Sequence, residues 1–208
     1  MTAIGLISDI HSTPSPLEEA LSIFKHGGVE QIYCAGDIAG YADQLEQSIA
    51  LLVDSGCQTI LGNHDLLYLD RYGDDVDNMA VAYFRQLATS MNMTIGGKTV
   101  YMVHGRPPDD CQNGIKLLNG EGEVQPDQIA FWADELKGLN CDVLVVGHTH
   151  QVFAERVGDM LVVNPGSAVF NHSCAILNLP ELTVDMFPLS NKEIRKTWSY
   201  SDYIMGGG

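Results

Sequence analysis

The polar residues of this chain gather at the ends of apolar, strand-like runs, and that placement limits its possible folds more than any other feature. "TAIGLIS" (2–8) reads as a first buried strand. Ser15 to Glu18 then spells S-x-x-E with Pro16 at the first helical position, which predicts a helix start. Leu17, Ala20, Leu21 and Phe24 recur at helical spacing until Gly27–Gly28 stop the helix. "EQIYCAG" (30–36) predicts a second strand, and Leu45, Ile49, Leu52 and Val53 a second helix closing near Gly56. "CQTILGN" (57–63) predicts a third strand, and the apolar positions from Val76 to Met91 one long helix. A strand at 98–105, a helix from Pro126 to Gly138 and a strand at 141–147 follow. Strands alternating with helices predict an α/β chain.

Beyond residue 150 the helical spacing disappears. "QVFAERV", "DMLVVN", "SCAILNL" and "LTVDMFP" read as short antiparallel strands separated by turns. No internal repeat or linker occurs, and 208 residues fit one domain, 1–208. The stretch 107–125 is the one long irregular segment, as a functional lid would be. The tail "SYSDYIMGGG" reads as loosely attached.

Asp9 and His11 follow the first strand, Gly36–Asp37 the second, Gly62 to Asp65 ("GNHD") the third, His104–Gly105 the fourth and "GHTH" (147–150) the fifth. Ligand sites of open α/β sheets form at these strand ends. Five of the seven histidines fall in the clusters, a concentration that random placement does not produce. His148 and His150, two positions apart on extended chain, point to one side.

Asp9, His11, Asp37, Asn63, His104, His148 and His150 make two carboxylates, one amide and four imidazoles. This mixture suits Mn²⁺, Fe, Zn²⁺ or Co²⁺, and is too rich in nitrogen for Mg²⁺ or Ca²⁺ alone. Seven ligands exceed one tetrahedral site and fit two metals sharing a carboxylate. Two metals about 3.5–4 Å apart clamp the attacking and leaving oxygens of a displacement at phosphorus and acidify a bridging water.

The net charge of −16 argues against general affinity for nucleic acid. No apolar run approaches the ~20 residues of a membrane span, and the N-terminus lacks a basic signal-peptide region. Five cysteines without a CxxC argue against disulfides and thiolate metal sites. They point to a reducing, cytoplasmic compartment.

The order D-x-H, G-D, G-N-H-D, H-G, G-H-T-H, with "NPGS" at 164–167, resembles the calcineurin-like metallophosphoesterase family over residues 5 to 168. "GDIAGY" is similar to its compact phosphodiesterase-like members. The resemblance implies two packed mixed β-sheets flanked by helices, a four-layer αββα sandwich. It implies a phosphodiesterase or phosphomonoesterase in which a metal-bridging hydroxide attacks phosphorus in line. It also implies Asp9, His11, Asp37 and His150 on one metal, and Asn63, His104, His148 and the bridging Asp37 on the other. Mn²⁺ is the expected metal, with Fe, Zn²⁺, Co²⁺ or Ni²⁺ as alternatives. His64 then protonates the leaving group, Asp65 orients His64, and Asn63 and His64 hold phosphoryl oxygens of a small phosphorylated substrate.

Leu61 stands where many members have arginine, and Arg106 where small members have a short polar residue. Arg106 could contact substrate phosphate bidentately; the alternative is a surface arginine. The expected loop 106–125 would form part of the substrate wall. Diadenosine tetraphosphatase and protein serine/threonine phosphatase activity are the alternative chemistries. A catalytically silent interaction scaffold is the alternative class, and it gives no reason to keep every ligand together with His64.

Overall fold

The computed structural model describes residues 2–199. The elements run β1 (Thr2–Ile7), α1 (Pro14–His26), β2 (Gln31–Cys34), α2 (Leu45–Asp54), β3 (Gln58–Thr59), α3 (Asn63–Tyr72), α4 (Met79–Phe84), β4 (Ser90–Ile95) and β5 (Lys98–Val103). They continue through α5 (Pro126–Glu135), β6 (Val143–Val145), β7 (Val152–Val157), β8 (Met160–Pro165), β9 (Ser173–Leu179) and β10 (Thr183–Pro188). Two five-stranded mixed sheets result, in the orders β10-β9-β1-β2-β3 and β4-β5-β6-β8-β7.

Strand alternation explains the layers. Ile4 and Leu6 of β1 pack with Val100 and Met102 of β5, Val143 and Val145 of β6, and Leu161 and Val163 of β8 in one core between the sheets. The outward residue Ile7 meets Leu17 and Phe24 of α1 and Leu52 of α2. On the other side Tyr101, Val103, Leu144 and Val162 meet Trp132 of α5 and Ile115, Leu117 and Leu118. The layers are therefore helix, sheet, sheet, helix. Each fully buried Leu, Ile or Met contributes ~1.5–3 kcal/mol relative to exposure, so the inter-sheet layer holds the two halves in register.

Several expectations are corrected. Helix α1 starts at Pro14, with Thr13 as its N-cap. Proline fits the first turn because its missing N–H is unneeded there, and Pro14 reaches that position before Pro16. The apolar stretch 76–91 divides: α4 ends at Phe84 and Met91 lies in β4, paired antiparallel with β5. Helix α3 is unexpected because Asp65 is its only buried residue, which leaves little apolar periodicity to read. The last four strands form two hairpins in different sheets. The β7–β8 hairpin joins β6 in parallel, and β9–β10 joins β1 antiparallel. All five cysteines are free thiols. Among the described residues, no helix is long and apolar enough to cross a membrane. Of the tail, residues 200–208 lie outside the described part, while Ser199 lines a cavity discussed below.

Candidate metal centre

The loops leaving β1, β2, β3, β5 and β6 meet at one edge of the sandwich. Backbone pairing runs on past the strands: Asp9 N donates to the Gly36 carbonyl (3.0 Å), His11 N to that of Asp37 (3.1 Å) and Ser12 N to that of Ile38 (2.7 Å). Asp9, His11, Asp37, His148 and His150 all have positive φ, between 48° and 64°. Aspartate and histidine tolerate the left-handed region better than most residues. Even so, each costs on the order of 1–3 kcal/mol and persists only where surrounding contacts impose it. Five such residues in five clustered positions mark this edge as the place where strain is concentrated.

Asp65 supplies much of the imposing contact. Its buried carboxylate accepts the N–H groups of Asp37 (2.9 Å), Ala39 (2.8 Å) and Gly62 (2.9 Å). It sits at the third residue of α3 and reaches back to the N-cap, as an acid does in a capping box. The expected orientation of His64 by Asp65 does not occur, because both carboxylate oxygens already hold backbone. Gly62 and Gly147 allow the close approach: a Cβ on Gly62 would collide with the Asp37 carboxylate, and one on Gly147 with the Ser8 hydroxyl and Asp9. The "NPGS" stretch ties in the rest. Ser167 Oγ donates to the Asp9 carbonyl (2.8 Å), and Asn164 Nδ2 donates to the Gly147 carbonyl (2.9 Å).

The seven expected ligands converge. His150 Nε2 lies 3.1 Å from Asp9 Oδ1 and 3.2 Å from His11 Nε2. His104 Nε2 lies 3.4 Å from Asp37 Oδ2 and 3.1 Å from Asn63 Oδ1, and His148 Nδ1 lies 2.8 Å from the same amide oxygen. Three sets bring their ligand atoms within 4.8 Å of one another: Asp9, His11 and His150; Asp9, Asp37 and His104; and His11, Asp37 and His64. Asp9 and Asp37 each belong to two sets. His64 Nᴴ of the backbone donates to Asp37 Oδ1 (2.9 Å), and its ring stands 5.0 Å from that of His11 and 5.2 Å from that of Tyr41.

The donor chemistry fits a cation. His104 Nδ1 lies 2.7 Å from the Ala35 carbonyl, and His11 Nδ1 lies 3.2 Å from that of Ala39. A carbonyl demands the proton there, so each neutral ring turns an Nε2 lone pair toward other acceptors. Lone pairs of nitrogen and oxygen then face each other across about 3 Å, an arrangement that a proton or a metal ion must satisfy. A backbone carbonyl on the far ring nitrogen is the usual support of a metal-binding histidine.

The electrostatics follow from burial and opposed charges. Burial pushes the Asp9 carboxyl upward, but His150, His104 and His11 hold it well below the usual range. Burial likewise opposes the ionised Asp37, and His104 outweighs it. Burial pushes His104 down, yet the Asp37 carboxylate raises it to about 10. Burial lowers His11 to about 4 against the pull of Asp9 and Asp37, and burial with the His104 charge lowers His148. Burial and the Asp37 charge push Asp65 up to about 7.

Arg106 is not at the centre. Its Nε pairs with Asp110 Oδ2 at 3.0 Å, and it lines a separate cavity with Pro107, Pro108 and Trp132. An isolated antiparallel bridge between Arg106 and Asp110 closes this turn. The rest of the loop is no lid: Ile115, Leu117 and Leu118 are buried, and Gln151 Oε1 accepts the N–H groups of Leu117 (2.9 Å) and Leu118 (3.0 Å). Its contribution to the metal cavity is Lys116, which lines a space of about 290 Å³ with Asp37, Asn63, His64, His148 and His150. Tyr41, Thr149, Trp198 and Ser199 also line it. Trp198 is brought there by its N–H bond to the His150 carbonyl (3.2 Å) and stacks on Phe170 at 4.2 Å. Neither Lys116 nor Trp198 belongs to a motif, and no local signal in the sequence marks them.

Comparison with known proteins agrees with this architecture. A Mycoplasma pneumoniae protein described as a "Probable metallophosphoesterase" is 24% identical over 169 residues, covering 80% of this chain and 79% of its own. The solved structure of a hypothetical protein from Pyrococcus horikoshii superposes with a TM-score of 0.72 at 20% identity, covering 94% of this chain and 90% of that one. A metallophosphoesterase from Sphaerobacter thermophilus gives a TM-score of 0.67 at 22% identity, covering 93% and 90%. The family model of the calcineurin-like phosphoesterase superfamily domain matches residues 2–180, and the chain belongs to that superfamily.

Proposed function

We propose that this chain hydrolyses esters of small phosphorylated substrates with two divalent metal ions that share Asp37. The single observation carrying the reading is the convergence of lone pairs from His11, His104, His150 and Asn63 on two buried carboxylates. That pattern needs bound protons or cations to satisfy it, and it would be eroded in a chain that used the fold only as a scaffold. Fold likeness does not choose. An archaeal phosphodiesterase and Vps29 from Entamoeba histolytica both superpose with a TM-score of 0.58, at 21% and 18% identity.

Asp9, His11, Asp37 and His150 would hold one ion, and Asp37, Asn63, His104 and His148 the other. Bound there, two divalent ions would supply charge to the phosphoryl oxygens and a water nucleophile available near neutral pH. Mn²⁺ suits the ligand set, as do Fe, Zn²⁺, Co²⁺ and Ni²⁺. His64 is the proton donor. Its ring lies beside the ligands His11 and Asp37 and opens on the cavity, within reach of an oxygen leaving phosphorus. Among the described residues, Lys116 is the one lysine or arginine lining this cavity, and Trp198 and Tyr41 add aromatic wall.

The test is turnover of p-nitrophenyl phosphate and bis(p-nitrophenyl) phosphate by chelated protein before and after addition of Mn²⁺. Metal-restored hydrolysis of either ester supports the reading. No hydrolysis of either ester with any of the named metals contradicts it.

A further inference from the structure

We infer that the group expelled from phosphorus enters a second cavity, adjoining the metal cavity at His64, and that this group is an uncharged planar ring system such as a nucleoside. The inference rests on the phosphoesterase reading and adds the chemistry of the leaving group to it. The cavity, about 660 Å³, lies between the loop after β2, the start of α2 and the exposed face of α3. Its volume falls in the range that holds small organic ligands. Among the described residues, His64 is the one that lines both this space and the cavity at the candidate metal centre. A proton donor placed at the junction of two spaces delivers its proton to an oxygen that departs into the second, because the reacting phosphorus occupies the first.

The walls describe what fits. Tyr68 and Tyr72, one turn apart on α3, place their ring centroids 4.7 Å from each other and offer flat apolar faces. The Tyr68 hydroxyl is occupied by Asn78 (3.1 Å), so this residue offers its ring rather than its hydroxyl. On the α2 side, Gln44 Nε2 donates to Gln47 Oε1 at 3.3 Å. Among the described residues, the Gln44 side-chain oxygen and the Gln47 amide nitrogen make no other hydrogen bond. They offer one acceptor and one donor, the complement of a ring edge that carries both.

Charge decides against an anionic leaving group. Among the described residues, the cavity has the carboxylates of Asp43 and Glu46 and the single guanidinium of Arg71, a net of one negative charge. Arg71 is itself directed over the Tyr72 ring, 5.2 Å from its centroid. A leaving group ending in phosphates would meet more repulsion than attraction, whereas a neutral nucleoside meets stacking faces and amides. The space therefore favours diesters or monoesters of neutral alcohols over dinucleoside polyphosphates.

The experiment measures binding and turnover separately. Adenosine is titrated into metal-free protein by calorimetry, with AMP and ADP as charged comparators, and repeated with Tyr72→Ala and Gln47→Ala. Both side chains are solvent-facing, so the variants fold. Saturable adenosine binding is expected, weakened about fivefold or more by Tyr72→Ala, the lower end of what losing a base-stacking ring costs. AMP and ADP should bind no more tightly than adenosine. In turnover with Mn²⁺, Tyr72→Ala should raise KM for adenosine monophosphate relative to p-nitrophenyl phosphate, with metal content unchanged. Absence of saturable adenosine binding, equal binding to Tyr72→Ala, or tighter binding of ADP that depends on Arg71 overturns the inference. Failure of the phosphoesterase reading looks different: neither p-nitrophenyl phosphate nor bis(p-nitrophenyl) phosphate would turn over with any of the metals.

Discussion

The two sheets contribute unequally to the metal centre. The loops after β1, β2 and β3, all in one sheet, bring both carboxylates, the amide of Asn63 and the imidazole of His11. The loops after β5 and β6, in the other sheet, bring three imidazoles: His104, His148 and His150. The oxygen-rich half lies on backbone held by Asp65, while the nitrogen-rich half is anchored by the Ala35 carbonyl and by Asn164. The carboxylates and three of the four imidazoles thus come from opposite sides of the inter-sheet core and meet only because the sheets are packed. The centre is a property of the sandwich rather than of either sheet.

That asymmetry predicts unequal consequences of substitution. Asp37→Asn removes the carboxylate that faces ligands of both sheets and should reduce hydrolysis to background. His148→Ala removes one imidazole from one side and should leave measurable activity at high Mn²⁺. Equal losses in steady-state assays would erase the distinction between the halves.

His64→Asn comes next. It should lower kcat ~10²–10⁴-fold for alkyl phosphates, as loss of a general acid does, and less for p-nitrophenyl esters, whose leaving group needs little protonation. Because His64 also clusters with His11 and Asp37, elemental analysis separates the roles. Unchanged metal content fits a proton donor; loss of an ion would make His64 a ligand of the oxygen-rich half.

Asp65→Ala tests the backbone frame of that half. It strands three buried N–H groups, each costing ~1–3 kcal/mol, so a fall in melting temperature should exceed any effect on rate in the surviving folded protein. A large rate loss at unchanged melting temperature would restore the orienting role expected from sequence.

The division between the sheets also sets a pH dependence. In chelated protein, His104 is held up to about 10 by Asp37, above its ordinary 6.5. A raised histidine stabilises the fold fully below about 6.5, and the contribution is lost as pH rises toward about 10. Metal-free protein should therefore lose stability across that alkaline window, and His104→Gln should flatten the profile in thermal melts. A profile that rises through the window, or is flat in the parent protein, contradicts the pairing of the halves through Asp37 and His104.

The smallest effect concerns the cations nearby. Lys116→Ala should raise KM for anionic substrates several-fold, while Arg106→Ala, whose side chain pairs with Asp110, should leave KM unchanged. The reverse result would put Arg106 at the site.

The legibility of the site follows from the same geometry. Every ligand lies within a few residues of a strand end, so the chain order of D-x-H, G-D, G-N-H-D, H-G and G-H-T-H revealed the cluster, and the close approach of Asp37, Ser8 and Asp9 explains why Gly62 and Gly147 accompany it. The role of Asp65 was misread because its neighbour in sequence, His64, is not its partner in space. Lys116 and Trp198 were illegible because long-range bonds to Gln151 and His150 position them. Helix α3 and strand β4 were missed for a simpler reason: one fully buries only Asp65, and the other continues an apolar stretch begun by a helix.

The most direct test of a centre shared between the sheets is a metal count. Parent protein, Asp37→Asn and His104→Ala are loaded with Mn²⁺, desalted and analysed for metal per chain. The account predicts two ions in the parent, near-complete loss in Asp37→Asn and retention of one in His104→Ala. A single ion in the parent, or full occupancy in Asp37→Asn, would contradict it.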